Sequence, residues 1–288
     1  MRKFLKKTAL IFSMSLLLLA GIYAGMAILS SNVNGLAPDA FHVLRKASYN
    51  SGLPAVLLGD SVCNQLWPQR ENSPNFAHLG SNQAITPAGT YLLLRKYLEH
   101  NPQTQDVFYV IIPGTLGNDL NLDFTYQYFV IPFVDHESIK LLDEETVQKL
   151  YSKFGKLFVT NKYVKTLLKN TNLFMKRYRD YLRSKPEKLY TNRLSPTAVI
   201  YLAKIRDLCT ERKVKLHILP MALADVEKNH DLKDFMQDVK DYGFEDIMGR
   251  FADGIKYYPA DWMFDGIHFK PEILEGHRNE IRASVMKY

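Results

Sequence analysis

The sequence is sparing with the residues that build cross-linked or metal-centred proteins. Its 288 residues include only two cysteines, Cys63 and Cys209, in neither a CxxC pair nor a metal-ligand spacing. No set of His, Cys, Asp and Glu has the spacing of a metal site. A disulfide scaffold, a zinc ribbon and a dithiol redox centre are excluded, and no cofactor or metal is expected. One Cys63–Cys209 bridge stays open for an exported chain. However, Cys209 shares the apolar face of an expected helix with Ala198, Leu202 and Ile205, which favours two free, buried thiols. Repeats and low-complexity tracts are absent, which excludes solenoids and disordered tails. The Gly114–Gly117 stretch lacks the Gly-Lys-Ser/Thr ending of a phosphate-binding loop. No nucleic-acid-binding motif is present, and no nucleic-acid partner is expected.

What the chain does have is apolar and aromatic material. Hydrophobic residues make up 47% of it, with 17 Tyr and 16 Phe, enough for a sizeable core. At the amino terminus Arg2, Lys3, Lys6 and Lys7 precede an uncharged apolar run from Thr8 to about Leu29. Roughly 20 such residues span a bilayer, and the flanking cations stay in the cytoplasm. Residues 1–30 are therefore expected to form a single-pass transmembrane anchor with the body extracytoplasmic. A cleaved signal peptide, cut near Gly25-Met26-Ala27, is the competing reading. No cysteine closes the run, so a lipoprotein is not indicated.

Residues 31–53 read as a polar connector. The body, 54–288, alternates strands and helices. Strands are expected at 54–58, 75–80, 107–112, 214–220 and about 254–258. Helices are expected from Thr86-Pro87 to His100, from Ser195-Pro196 to Arg212, over much of 226–250, and at the carboxyl end. The two Ser/Thr-Pro pairs supply an N-cap followed by proline at the first helical position. This alternation implies an α/β layered fold with a mostly parallel sheet flanked by helices. Residues 120–192 break the pattern and read as a helical cap insertion. Between Lys140 and Tyr190 there are 13 Lys/Arg against 5 Asp/Glu. That excess is either a solvated helix face or a surface for an anionic partner.

Ligands of open α/β sheets bind outside the carboxyl ends of the strands. Ser61, Gly80, the loop 113–119 and the loop 221–225 all follow strand ends, so they are expected on one rim. Ala55-Val56-Leu57-Leu58 runs into Gly59-Asp60-Ser61, which places a hydroxyl at a strand end and a helix start. Taken alone, this is also an ordinary helix cap. A serine nucleophile needs an imidazole base, and the base needs an acceptor to fix its tautomer. Asp265-Gly266-Ile267-His268 supplies both from one short loop.

These residues, Gly59-Asp60-Ser61 early and Asp265-x-x-His268 late, resemble the SGNH/GDSL hydrolase superfamily over residues 54–118 and 195–270. The resemblance implies a three-layer flavodoxin-like fold. Ser61 would be nucleophile, His268 base and Asp265 its orienting acid. An oxyanion hole would come from the Ser61 amide, Gly80 and Asn118. The family's Gly-x-Asn-Asp block is here Gly114-Thr115-Leu116-Gly117-Asn118-Asp119, with altered glycine spacing. No Gly-x-Ser-x-Gly elbow surrounds Ser61, unlike α/β-hydrolases of the same Ser, Asp, His order. With its anchor, the chain is similar to membrane-tethered relatives that esterify or de-esterify envelope polymers, often beside a multispanning membrane acyltransferase. The expected substrate is an acylated glycan or other ester. A different class stays open: a catalytically silent module that binds a glycan or partner through the basic, aromatic cap.

Overall fold

A computed structural model describes residues 2–31, 37–71, 73–81, 85–120, 125–161, 193–225 and 232–287. The first helix, α1 (Arg2–Ser31), is about 45 Å long at 1.5 Å per residue. Its Lys6–Gly25 stretch has a mean hydropathy of 1.9 and is not buried by the described residues. Phe12, Leu17, Leu18 and Leu19 all stand in the open. The helix is long and apolar enough to cross a membrane.

The body is built on a four-stranded parallel sheet in the order β2-β1-β3-β4, with β1 (Ala55–Gly59), β2 (Phe76–Gly80), β3 (Asp106–Ile111) and β4 (Lys215–Pro220). All five residues of β1 are buried, as a central strand covered on both faces requires. Consecutive strands β1 and β2 pair, and the chain then passes back over β1 to reach β3. The strand order therefore reverses at the carboxyl end of β1, where open α/β sheets form their crevice.

Helices cover both faces. On one side α2 (Pro38–Ala47), α4 (Thr86–His100) and the helix Pro196–Arg212 pack together. On the other, α3 (Ser61–Leu66) packs with the carboxyl-terminal helix Pro271–Met286. Ser195 caps its helix as expected, its Oγ accepting Ala198 N at 3.1 Å. Thr86 does not sit at the cap. It is the first helical residue, in a left-handed conformation at φ 63°, and its Oγ1 accepts Gly89 N at 3.3 Å. Cys63 and Cys209 are both free and buried.

Several expectations are corrected. The stretch 31–53 is more than a connector: α2 buries Ala40, Val43 and Ala47 in the core. Its apolar residues recur at helical spacing among charges, so polarity on the outer face disguised a packed helix. The 113–119 loop begins as a short helix, Pro113–Gly117, which proline at its first position allows. The expected helix over 226–250 is two short ones in its described part, Lys233–Asp241 and Glu245–Met248, and a third, Phe251–Gly254, follows it. The last strand is only Tyr257–Tyr258, and it pairs with Leu223–Ala224 outside the main sheet. Of the insertion, residues 125–161 form short helical segments that include Glu144–Phe154 and Lys156–Thr160. The rest of its expected helices lie outside the described residues.

Candidate active site

The site begins where β1 ends. Gly59 lies so close to Cys63 and to the Val110 carbonyl that a Cβ there would collide with both. Glycine therefore lets α3 turn sharply off the strand. Asp60, nearly buried, caps α3 by accepting Val62 N at 3.1 Å. Its other oxygen accepts a short hydrogen bond from Thr115 Oγ1, which ties the end of β3 to the end of β1. Burial pushes the Asp60 carboxyl up, and the Thr115 hydroxyl and capped amides only partly offset it. Asp60 is thus a structural cap, and Ser61 is left facing the rim.

The second half of the site is the loop from Met263 to Phe269, closed by an antiparallel bridge between those two residues. Gly266 turns it with φ 87°, a conformation that favours glycine. Asp265 Oδ1 accepts Ile267 N at 3.2 Å and His268 N at 2.9 Å, so two backbone amides fix the carboxylate. Its Oδ2 meets His268 Nδ1 at 2.8 Å, and His268 Nε2 meets Ser61 Oγ at 2.9 Å. With Nδ1–H donated to the carboxylate, Nε2 carries the lone pair that accepts the serine O–H. Burial raises the Asp265 carboxyl, but the bonds from the His268 ring and the two amides outweigh it and hold it below its ordinary value. Asp265, 41% exposed, is thus ionised at neutral pH beside a 22% exposed imidazole.

Ser61, His268 and Asp265 are therefore brought together across 207 residues of sequence. Gly80 lies opposite Gly59 in the β1–β2 register. A Cβ there would sit 3.1 Å from Asn64 N and 3.2 Å from Cys63 Sγ, tighter than most side chains pack, which favours glycine against α3. Its carbonyl accepts Gln69 Nε2 at 2.7 Å. Asn118 follows β3 on the same rim, half-buried, with its carbonyl accepting Ser195 Oγ at 3.1 Å. Among the described contacts its side chain touches none of the triad. Asp119 turns away to Thr197 and to Lys149, at 3.2 Å. Burial and then the Asp60 charge push the Cys63 thiol up, and its Sγ bonds the Leu58 carbonyl at 3.6 Å. That rules it out as a thiolate nucleophile. A cavity of about 10 Å³ behind Asp60, between Thr86, Tyr109 and Thr115, has room for about one water and not for a substrate. Among the described residues no group of His, Cys, Asp and Glu is arranged to hold a metal.

Sequence reasoning missed Gln65. Its Nε2 donates to Phe269 O at 2.6 Å and its Oε1 accepts Phe269 N at 2.9 Å. One amide thus satisfies both backbone groups of the residue after His268 and clasps the His268 loop to the Ser61 helix. Gln65 lies one turn after Ser61, on the same face, but its partner is 204 residues away. Gln65→Ala leaves the buried Phe269 amide unpaired. It is expected to cost about 2 kcal/mol of stability, read by urea unfolding, and to lower turnover of an activated ester more than it raises KM.

No family model matches the chain, and no curated protein matches it. One solved structure is similar, described provisionally as a platelet activating factor from Streptococcus pneumonia. The match covers 96% of this chain and 98% of that chain at 10% identity, with a TM-score of 0.39. A likeness at that level carries no inference, and the site stands on its own geometry.

Proposed function

We propose that this chain is a membrane-anchored serine esterase or O-acyltransferase of the SGNH type, acting on acyl esters of a cell-envelope polysaccharide or related glycan. The observation that carries the reading is the unbroken hydrogen-bond chain from Asp265 through His268 to Ser61, at 2.8 and 2.9 Å. Ser61 Oγ attacks the ester carbonyl carbon as its proton passes to His268 Nε2. The carbonyl π pair moves onto oxygen, where the Ser61 amide and Gly80 are the proposed donors, with Asn118 as the third. Collapse expels the alcohol oxygen, which takes the proton from His268 and leaves an acyl-serine. Water or a sugar hydroxyl then attacks the acyl carbon as it gives its proton to His268, and collapse expels Ser61 Oγ, which takes that proton back and frees the acid or the new ester. Asp265 keeps its charge throughout and holds the imidazole in its accepting tautomer.

The β2-β1-β3-β4 order supports reading 54–288 as one flavodoxin-like domain with its insertion near 120–192. The apolar α1 supports an anchor, with the domain on the extracytoplasmic side. A multispanning acyltransferase is the partner such an arrangement would serve. A fluorophosphonate probe tests the reading. Labelling of the purified full-length chain, absent from Ser61→Ala, is the expected result. A folded wild-type chain that takes no label favours the silent, glycan-binding module.

A further inference from the structure

α2 runs antiparallel to the sheet. Near its amino end, Gln69 Nε2 donates to both Asp39 O at 3.4 Å and Gly80 O at 2.7 Å. Beyond its carboxyl end, Tyr49 O accepts Asn101 Nδ2 at 3.0 Å, at the approach to β3. The start of α2 is therefore at the rim that carries Gly80 and Ser61. From Ser31, where α1 ends, to Ala37 the chain can reach at most about 22 Å. If α1 crosses a bilayer, this rim is tethered at the membrane surface rather than hanging far below it.

An open cleft of about 450 Å³ lies along this part of the body, lined among others by Pro38, Asp39, His42, Arg45, Arg70 and Lys96. Arg45, Arg70 and Lys96 come from three separate segments, and none of them has an ion-pair partner among the described residues. Asp39 is the single carboxylate on the lining. Burial, and then the charges of Lys46, Arg45 and Arg70, hold the His42 imidazole below its ordinary value, so the ring is neutral. Its Nδ1 accepts from Arg45 Nη2 at 3.2 Å and steadies that guanidinium. Three unneutralised cations around one cleft fit the oxygens of a phosphate.

We propose that this cleft binds the phosphate headgroup of an anionic lipid in the membrane that α1 crosses, and so holds the α2 and α4 face of the body against that membrane. The inference rests on the anchor reading, not on catalysis by Ser61. A tether of at most about 22 Å keeps phospholipid headgroups at high local concentration near the cleft, which favours them over a free anion.

The full-length chain in lipid nanodiscs provides the test, with phosphatidylglycerol or phosphatidylcholine carrying a photoactivatable group on the headgroup. The phosphatidylglycerol probe is expected to label peptides holding residues 38–48, 69–70 and 96 roughly tenfold more than the phosphatidylcholine probe. R45E/R70E/K96E is expected to lose that excess, and the milder Arg70→Gln and Lys96→Gln to lower it in steps. Equal labelling by both probes, or an excess retained in the triple variant, overturns the proposal. Competition by millimolar inorganic phosphate overturns the lipid and assigns the cleft to a free anion. Circular dichroism of the same samples reports folding, and fluorophosphonate labelling of Ser61 reports the catalytic reading separately. A chain that does not enter nanodiscs overturns the anchor and this inference with it.

Discussion

Ser61→Ala is expected to lower turnover of an activated acyl ester by about 10⁴- to 10⁶-fold, with KM and thermal midpoint nearly unchanged. The hydroxyl is one hydrogen-bond length from His268 Nε2, and among the described residues no other nucleophile is placed to replace it. Cys63, two residues on, is buried with its thiol pushed up, so it stays protonated. The fold tolerates the change because helix capping falls to Asp60, whose carboxylate accepts Val62 N and the Thr115 hydroxyl. Steady-state kinetics with urea unfolding of the same samples separate the two effects. An equal loss of stability and activity would mean that Ser61 is a structural residue.

Asp265→Asn is expected to lower kcat by about 10³- to 10⁴-fold while leaving the loop in place. The amide oxygen can still accept from Ile267 N and His268 N, so the turn survives. Its NH₂ group, however, meets His268 Nδ1 as a donor. That turns the ring into the tautomer whose Nε2 carries hydrogen and cannot accept from Ser61. The sign of the stability effect follows from the carboxyl being held below its ordinary value. The ionised form contributes stability that is complete above about pH 4 and is lost as pH falls through the lowered folded value. With Asp265 41% exposed, solvent keeps that contribution small. Urea midpoints of wild type and Asp265→Asn are therefore expected to differ slightly at neutral pH and to converge in acid.

The sequence disclosed most of the frame because its strands are apolar on both faces. Val107 to Ile112 and Ala55 to Leu58 are legible as central strands from composition alone. The hydrogen-bonded set Ser61, His268 and Asp265 was legible as a candidate because its features are local: a serine at a strand end, and an acid and an imidazole three residues apart. What stayed hidden depends on distant pairings. Gln65 looks like any polar residue of a short helix until Phe269 is brought beside it. Thr115 reads as a loop residue until β3 is laid against β1 and its hydroxyl reaches Asp60. The helix Pro38–Ala47 reads as a connector in sequence because its charged outer face outweighs its three buried positions. The third oxyanion donor stays a proposal for the same reason. Asn118 reaches the right rim, but its recorded bond runs through its backbone to Ser195, and spacing alone does not aim an amide.

The most direct measurement is mass spectrometry of the purified full-length chain, quenched in acid during turnover of an activated acyl ester. The account predicts one acyl group on the peptide that holds Ser61, with no adduct in Ser61→Ala. An adduct that water alone discharges marks an esterase, and one that persists in water and is discharged by added glycan marks an O-acyltransferase. No acyl group on that peptide while ester is consumed, or the same adduct in Ser61→Ala, would contradict the assignment of Ser61 as nucleophile.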